Sequence, residues 1–185
     1  KAACAGNVAH EMAEAFILGE DPQDVVKRYR DSGTDPELIK QGVTGFEGFG
    51  RWFRQSNLKL IDSELAVVSE CPRYAGTMDG LAETPDGDLE ILDWKTSNRI
   101  YGKMIAQVAA YGHAFEHGHP HDRERTVFRF NEPITGGHII RFGKDYGTFA
   151  HLYLPRAALD VGWQGFAVAL EAYEIAKKLK KIAGA

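Results

Sequence analysis

Asp79 and Asp93 stand fourteen positions apart on either side of Thr84-Pro85-Asp86-Gly87, a cluster of turn-forming residues. The flanking runs, Tyr74 to Ala82 (YAGTMDGLA) and Asp88 to Lys95 (DLEILDWK), read as short strands, and the whole as an antiparallel hairpin. If that hairpin is symmetric about Asp86, Asp79 lies opposite Asp93, and directly opposed side chains have Cβ atoms about 4.5–5.5 Å apart. Two carboxylates that close either share a proton or take a cation between them, and a divalent metal is the economical solution. Residues i and i+2 of a strand share a face, so Asp93 and Lys95 point together while Trp94 points away. Two carboxylates and an ammonium around one spot suit metal-assisted hydrolysis of a phosphate ester: the acids hold a hard cation, and the lysine positions the nucleophile or stabilises developing charge. The plain alternative is an ordinary hairpin with two exposed acids and a lysine, and these three residues do not decide between the two.

Other elements must position this hairpin. Tyr101 to His117 carries Met104, Ile105, Val108, Ala109 and Phe115 at helical spacing, which predicts a helix packed behind the sheet with Gln107 and Tyr111 on one face at i and i+4. Gly6 to Leu18 predicts a second helix with His10 in its first turns, and Lys59 to Ser69 a strand before the hairpin. Asp21 to Gln55 reads as helical stretches interrupted by Asp-Ser-Gly-Thr-Asp-Pro. Its glycine-spaced Gly45 to Gly50 follows no strand, so it predicts a helix cap or turn rather than a phosphate loop. Further strands are expected at Thr126 to Phe130, Gly137 to Phe142 and Thr148 to Leu154, and a closing helix from Pro155 to Ile182 ends in a lysine-rich run. Singly, Gln107, Tyr111 and His10 have bland accounts: a solvated amide, a packing ring and a satisfied helix histidine.

Taken together, Gly-x-x-x-His-Glu at Gly6 to Glu11, Gly76-Thr77-Met78-Asp79-Gly80, Asp93-Trp94-Lys95-Thr96 and Gln107-x-x-x-Tyr111, in this order, resemble the motifs of the RecB-like branch of the PD-(D/E)XK nuclease superfamily. The resemblance implies an α/β restriction-endonuclease-like core: a central mixed β-sheet flanked by helices, with an N-terminal helical extension and a long C-terminal helix. It implies that Asp79 and Asp93 bind Mg²⁺ or Mn²⁺, that His10 is a further ligand, that Lys95 is the catalytic cation, and that Gln107 and Tyr111 contact nucleic acid or support the lysine. Glu64 is the candidate for the glutamate that often joins such a site from the preceding strand, with Asp62 and Glu70 as competitors. The Trp94 backbone carbonyl, lying between the two active side chains, is a further ligand candidate. Because imidazole suits manganese better than magnesium, a site containing His10 is expected to work at least as well with Mn²⁺.

Length and composition fit one domain spanning residues 1–185, with 44% hydrophobic residues, enough for a single substantial core. Its two cysteines, Cys4 and Cys71, cannot supply the four-cysteine iron–sulfur cluster that several RecB-like nucleases carry, so no cluster is expected. No apolar run is long enough to span a membrane and no signal peptide opens the chain, so a cytoplasmic protein is expected, although Lys1 beside a helix pattern raises the suspicion of a missing upstream segment. The net charge of −4 does not advertise a nucleic-acid binder. An acidic metal site accounts for part of it, and Arg51, Arg54, Arg99 and Lys103 are the candidate phosphate contacts. Trp52-Phe53 could stack on bases but is more often core, and His113, His117, His119 and His121 lack the spacing of a second metal site.

The sequence therefore predicts a metal-dependent deoxyribonuclease, foremost an exonuclease acting on single-stranded or end-containing DNA in recombination, repair or phage DNA metabolism, alone or with a partner protein. A structure-specific endonuclease is the nearest variant. A nuclease-fold accessory subunit that binds DNA without cleaving is the alternative from another class, and intact Asp79, Asp93 and Lys95 argue against it. A nucleotide-binding α/β protein lacks its glycine-rich loop.

Overall fold

Two Asp-Pro dipeptides start the helices that follow the first. The Asp21 carboxylate accepts from the Gln23 N–H at 2.9 Å, with Pro22 as the first helical residue, and Asp35 and Pro36 repeat the device through Glu37. In the computed structural model, which describes residues 4–120 and 130–184, these open α2 (Pro22–Asp31) and α3 (Pro36–Ser56), after α1 (Ala5–Ile17). Then come β1 (Lys59–Glu70), β2 (Arg73–Glu83), β3 (Leu89–Thr96), α4 (Gly102–His117), the short β4 (His119–Pro120), β5 (Ile134–Phe142), β6 (Phe149–Pro155) and α5 (Arg156–Ile182). The expected strand at Thr126 to Phe130 falls almost wholly outside the described residues.

The strands form one mixed sheet in the order β4-β1-β2-β3-β5-β6. β3 and β5 are parallel, joined by the crossover through α4, and the remaining pairs are antiparallel. β3 lies in the middle and is buried along most of its length, which explains its near-continuous apolar run. One face of the sheet packs Leu65, Met78, Ile91 and Ile139 against α4 and the start of α5. The opposite face packs Leu92, Trp94, Ile140 and Phe142 against α1 and α3, with Phe49 of α3 at the centre of that aromatic cluster. The fold is thus the α/β arrangement expected, a mixed sheet between helical layers. No helix among the described residues is long and apolar enough to cross a membrane.

One expectation fails. Gly45 to Gly50 is neither cap nor turn but lies inside α3. The reason is close approach: a Cβ on Gly45 would stand 1.9 Å from the Gly147 carbonyl oxygen, and one on Gly48 2.7 Å from Phe149 Cβ. Glycine lowers helix propensity by about 1 kcal/mol here, and tertiary contact overrides it by letting α3 lie directly against the β5–β6 connection.

Candidate active site

The hairpin register follows the symmetric rule, with Glu83 opposite Leu89, Leu81 opposite Ile91 and Gly80 opposite Leu92. Its turn is closed by Gly87 N–H to Thr84 O at 3.0 Å and Asp88 N–H to Thr84 Oγ1 at 3.1 Å, with Gly87 at φ +89°. The ladder ends at Gly80, one step before the two aspartates. Beyond it β2 and β3 part, β3 staying paired to β5 as far as Thr96. Asp79 therefore does not face Asp93 as a regular cross-strand pair; its Oδ2 enters the fork and accepts the Trp94 N–H at 2.6 Å. That bond ties the strands where backbone pairing stops, and it keeps the two carboxylates close enough that the charge of Asp79 raises the pKa of Asp93.

Asp93 is completely buried. Its Oδ1 accepts from Lys95 Nζ at 2.6 Å, whereas its Oδ2, equally buried, has no hydrogen-bond partner. Burial raises the Asp93 pKa to about 6, opposed by Lys95 and reinforced by Asp79. Asp79 is also raised by burial, against the Trp94 hydrogen bond and the charges of Lys95 and His10. Since Asp79 lies in the fork, it senses Lys95 on the α4 side of the sheet and His10 on the α1 side.

Gln107 and Tyr111 stand one above the other on α4, with Gln107 Nε2 donating to the Tyr111 hydroxyl at 2.7 Å. Both line a cleft of ≈ 590 Å³ with Lys95, Lys103, Tyr74 and Phe166 of α5. Burial raises the Tyr111 pKa, the Gln107 bond opposes this, and the charges of Asp93, Asp79 and Glu64 add to the rise. The motif glycines have steric roles. A Cβ on Gly76 would meet Tyr111 Cε1 at 2.5 Å, so β2 must be bare there for the ring to lie over it; one on Gly6 would meet Thr96 Cγ2 at 2.7 Å, so α1 can close onto the end of β3.

Glu64 stands at the register position opposite Asp79, between the pairs Ser63–Gly80 and Leu65–Met78. Its φ of +51° lies in the left-handed region that non-glycine residues seldom occupy. Its pKa is raised by burial, then by Asp79 and Glu14. Its side chain is nonetheless exposed at the rim. The competitors are engaged elsewhere: Asp62 accepts the Ser63 N–H, and Glu70 pairs with His119 Nε2 at 3.0 Å. His10 lines a second cleft, of ≈ 900 Å³, with Glu14, Trp94, Thr96, Arg28 and Lys144. Because the N–H and C=O of one extended residue point to the same edge, the Trp94 carbonyl faces the fork along with its N–H.

These residues fit a hard cation in chemistry. Asp93 Oδ2 is a buried anionic oxygen lacking any partner, a costly feature that a cation would relieve, and Asp79, Glu64 and His10 surround the same fork. They are not drawn tight: among the described residues no three His, Cys, Asp or Glu side chains already form a metal-binding group. Binding would have to pull them together.

The outlying candidates separate. Trp52 packs on His151 at 4.5 Å between ring centroids and on Phe149, so it is core. Arg51 and Arg54 are exposed on α3 and line neither cleft, whereas Lys103 lines one and Arg28 and Lys144, not anticipated, line the other. His113 stacks on Trp163 at 3.6 Å, His117 lies by Glu116 and His119 by Glu70; His121 is outside the described residues. Missed altogether was a polar network on the far side of β3. Glu90 Oε2 meets His138 Nε2 at 2.7 Å, His138 Nδ1 meets His151 Nε2 at 2.8 Å, and the Tyr153 hydroxyl donates to Glu90 Oε1 at 3.1 Å. The one signal for it was parity: Glu90 lies three residues before Asp93, hence on the other face.

Fold and site together define an α/β protein, a mixed sheet between helical layers, with acid, acid and lysine gathered where two central strands part. No protein-family model matches the chain, and no curated protein does. Among solved structures it is similar in fold to the "putative exonuclease" of Eubacterium rectale, with a TM-score of 0.57 at 13% identity over 93% of this chain and 67% of that one.

Proposed function

We propose that this chain is a Mg²⁺- or Mn²⁺-dependent deoxyribonuclease of the RecB-like PD-(D/E)XK branch, acting as an exonuclease on DNA. The observation that carries the reading is the orphaned Asp93 Oδ2 beside Asp79 with Lys95 on the other oxygen. The name of the E. rectale protein points the same way.

Asp79, Asp93, His10 and the Trp94 carbonyl would hold the ion, with Glu64 joining from the rim. A cation held there would supply Lewis acidity for phosphate-ester hydrolysis. Lys95, held by Asp93 at the mouth of its cleft, orients the attacking water and balances charge developing on the phosphate oxygens. Tyr111, fixed by Gln107 and by bare backbone at Gly76, presents its hydroxyl and ring edge beside the lysine, where a DNA strand would pass; Lys103 neutralises a neighbouring phosphate.

The test incubates end-labelled single-stranded and duplex DNA, and circular single-stranded DNA, with Mn²⁺, Mg²⁺ or EDTA, alongside Asp93→Ala and Lys95→Ala. Loss of linear DNA that needs metal, spares circles and disappears in both variants is expected, with Mn²⁺ at least equal to Mg²⁺. Cleaved circles would make the enzyme an endonuclease. DNA binding without cleavage would favour the accessory-subunit reading, for which the lack of a preassembled three-donor group among the described residues speaks.

A further inference from the structure

α5 is apolar on two opposite sides. Leu159, Gly162, Trp163 and Phe166 face the body, where a Cβ on Gly162 would stand 2.9 Å from Ala109 Cβ on α4. The other side is open. Val161, Val168, Ile175 and Ile182 recur every seven residues, each between 48% and 81% exposed, and Gly165, Ala172 and Leu179 fall four residues after the first three. This 4–3 alternation over three heptads is the seam of a two-stranded coiled coil, with Gly165, Ala172 and Leu179 at a and the seven-residue series at d. From Glu171 onward every residue described is exposed, so the seam runs beyond the body that supports the helix's first half.

We propose that α5 pairs antiparallel with α5 of a second copy of this chain. An antiparallel seam sets a against d. Gly165 then faces Ile182 of the second copy, Ala172 faces Ile175 and Leu179 faces Val168, small against large in two layers of three. A parallel seam would set Gly165 on Gly165 and Ala172 on Ala172, leaving voids. The flanking g positions bring Glu171 opposite Lys178 twice, once on each side of the two-fold axis, whereas in a parallel pair each would face an alanine, Ala176 or Ala183. Gly165 supplies an independent observation: a Cβ there would meet nothing within 4 Å, so the chain's own packing does not require a glycine that weakens the helix. Lys177, Lys180 and Lys181 point away from the seam and keep the remaining surface solvated.

This inference stands independently of the nuclease reading. Sedimentation equilibrium of the full chain is expected to give a dimer. Val168→Glu, and separately Ile175→Glu, are expected to give a folded monomer with the wild-type circular dichroism spectrum, since both sites are exposed, and a melt that no longer rises with protein concentration. Glu171→Lys creates two Lys–Lys contacts and is expected to weaken the dimer about tenfold; adding Lys178→Glu is expected to restore it, a rescue that a parallel pair would not show. A monomeric wild type, including one that instead binds anionic lipid vesicles through its lysines, would overturn the proposal. So would a dimer that survives Ile175→Glu, or a double variant that fails to recover.

Discussion

β3 carries two buried carboxylates three residues apart, on opposite faces of the sheet, and they are treated in opposite ways. Glu90, 7% exposed, is satisfied at both oxygens by His138 and Tyr153. Burial alone would raise its pKa, but the hydrogen bonds and charge of His138 hold it below the usual glutamate value. Asp93 is more deeply buried, has one oxygen paired and one orphaned, and titrates near 6. Glu90 is surrounded until its charge is compensated; on the proposed function, Asp93 is left short of partners so that a ligand can supply the rest.

The sharpest break of this comparison is to remove each acid. Asp93→Asn is expected to lower cleavage by about 10³-fold while the metal-free protein melts no lower than wild type, because the orphaned charge is gone. Glu90→Ala is expected to do the reverse, destabilising by about 3 kcal/mol by leaving His138 Nε2 and the Tyr153 hydroxyl without their carboxylate, with activity per folded molecule retained. Cleavage assays normalised to the folded fraction from circular dichroism check both. Next in size, Lys95→Met is expected to lower turnover by about 10²-fold with the divalent-ion affinity unchanged or tighter, since Asp93 Oδ1 is released; titration calorimetry reads the affinity.

How the two acids differ in legibility follows from where their partners come from. The Lys95–Asp93 and Gln107–Tyr111 contacts, and the nearness of Asp79 to Asp93, could be read because each is local: i to i+2 on a strand, i to i+4 on a helix, or across a hairpin whose turn residues announce its centre. The fork itself was not legible, since where a ladder stops depends on the third strand, on the Glu64 irregularity and on α1 closing over Gly6. The Glu90 network was invisible because its partners come from β5 and β6, 48 to 63 residues away. The glycines of α3 misled for the same reason, being required by the distant Gly147 and Phe149.

Titration sharpens the contrast further, and the signs differ. Asp93 has its folded pKa raised from 3.8 to about 6, so between those values the folded state holds a proton that the unfolded state has released, and stability rises as pH falls through the window. His151, in the Glu90 network, is lowered from 6.5 to about 4 by burial and then by His138. Between those values the unfolded state holds the extra proton, and stability falls as pH falls. The two slopes, about 1.4 kcal/mol per pH unit each, oppose, so the contributions of these two groups largely cancel from pH 6 to 4.5. Asp93→Asn exposes the histidine and is expected to lose stability on acidification across this range; His151→Phe exposes the aspartate and is expected to gain. Urea midpoints at pH 6 and 4.5 measure both, and parallel curves for the two variants would show that the faces do not titrate as opposites.

The smallest effects come from single methyl groups, one on each side of the sheet. Gly76→Ala sets a Cβ against Tyr111 Cε1, and the ring must tilt off β2, taking with it the hydroxyl that Gln107 fixes. Since Tyr111 is only half-buried, the ring has somewhere to go, so the expected loss is about tenfold in turnover with about 1 kcal/mol of stability. Gly48→Ala meets Phe149 Cβ at 2.7 Å beside the aromatic cluster behind β3, and a Cβ, fixed to its own backbone, cannot swing aside as a ring edge can. There the helix must back away from β6, and the expected loss is about 2 kcal/mol of stability with turnover unchanged. If Gly48→Ala instead slowed cleavage as much as Gly76→Ala, strain would be passing through β3 from one face to the other, and the division between a structural and a chemical side of the strand would not hold.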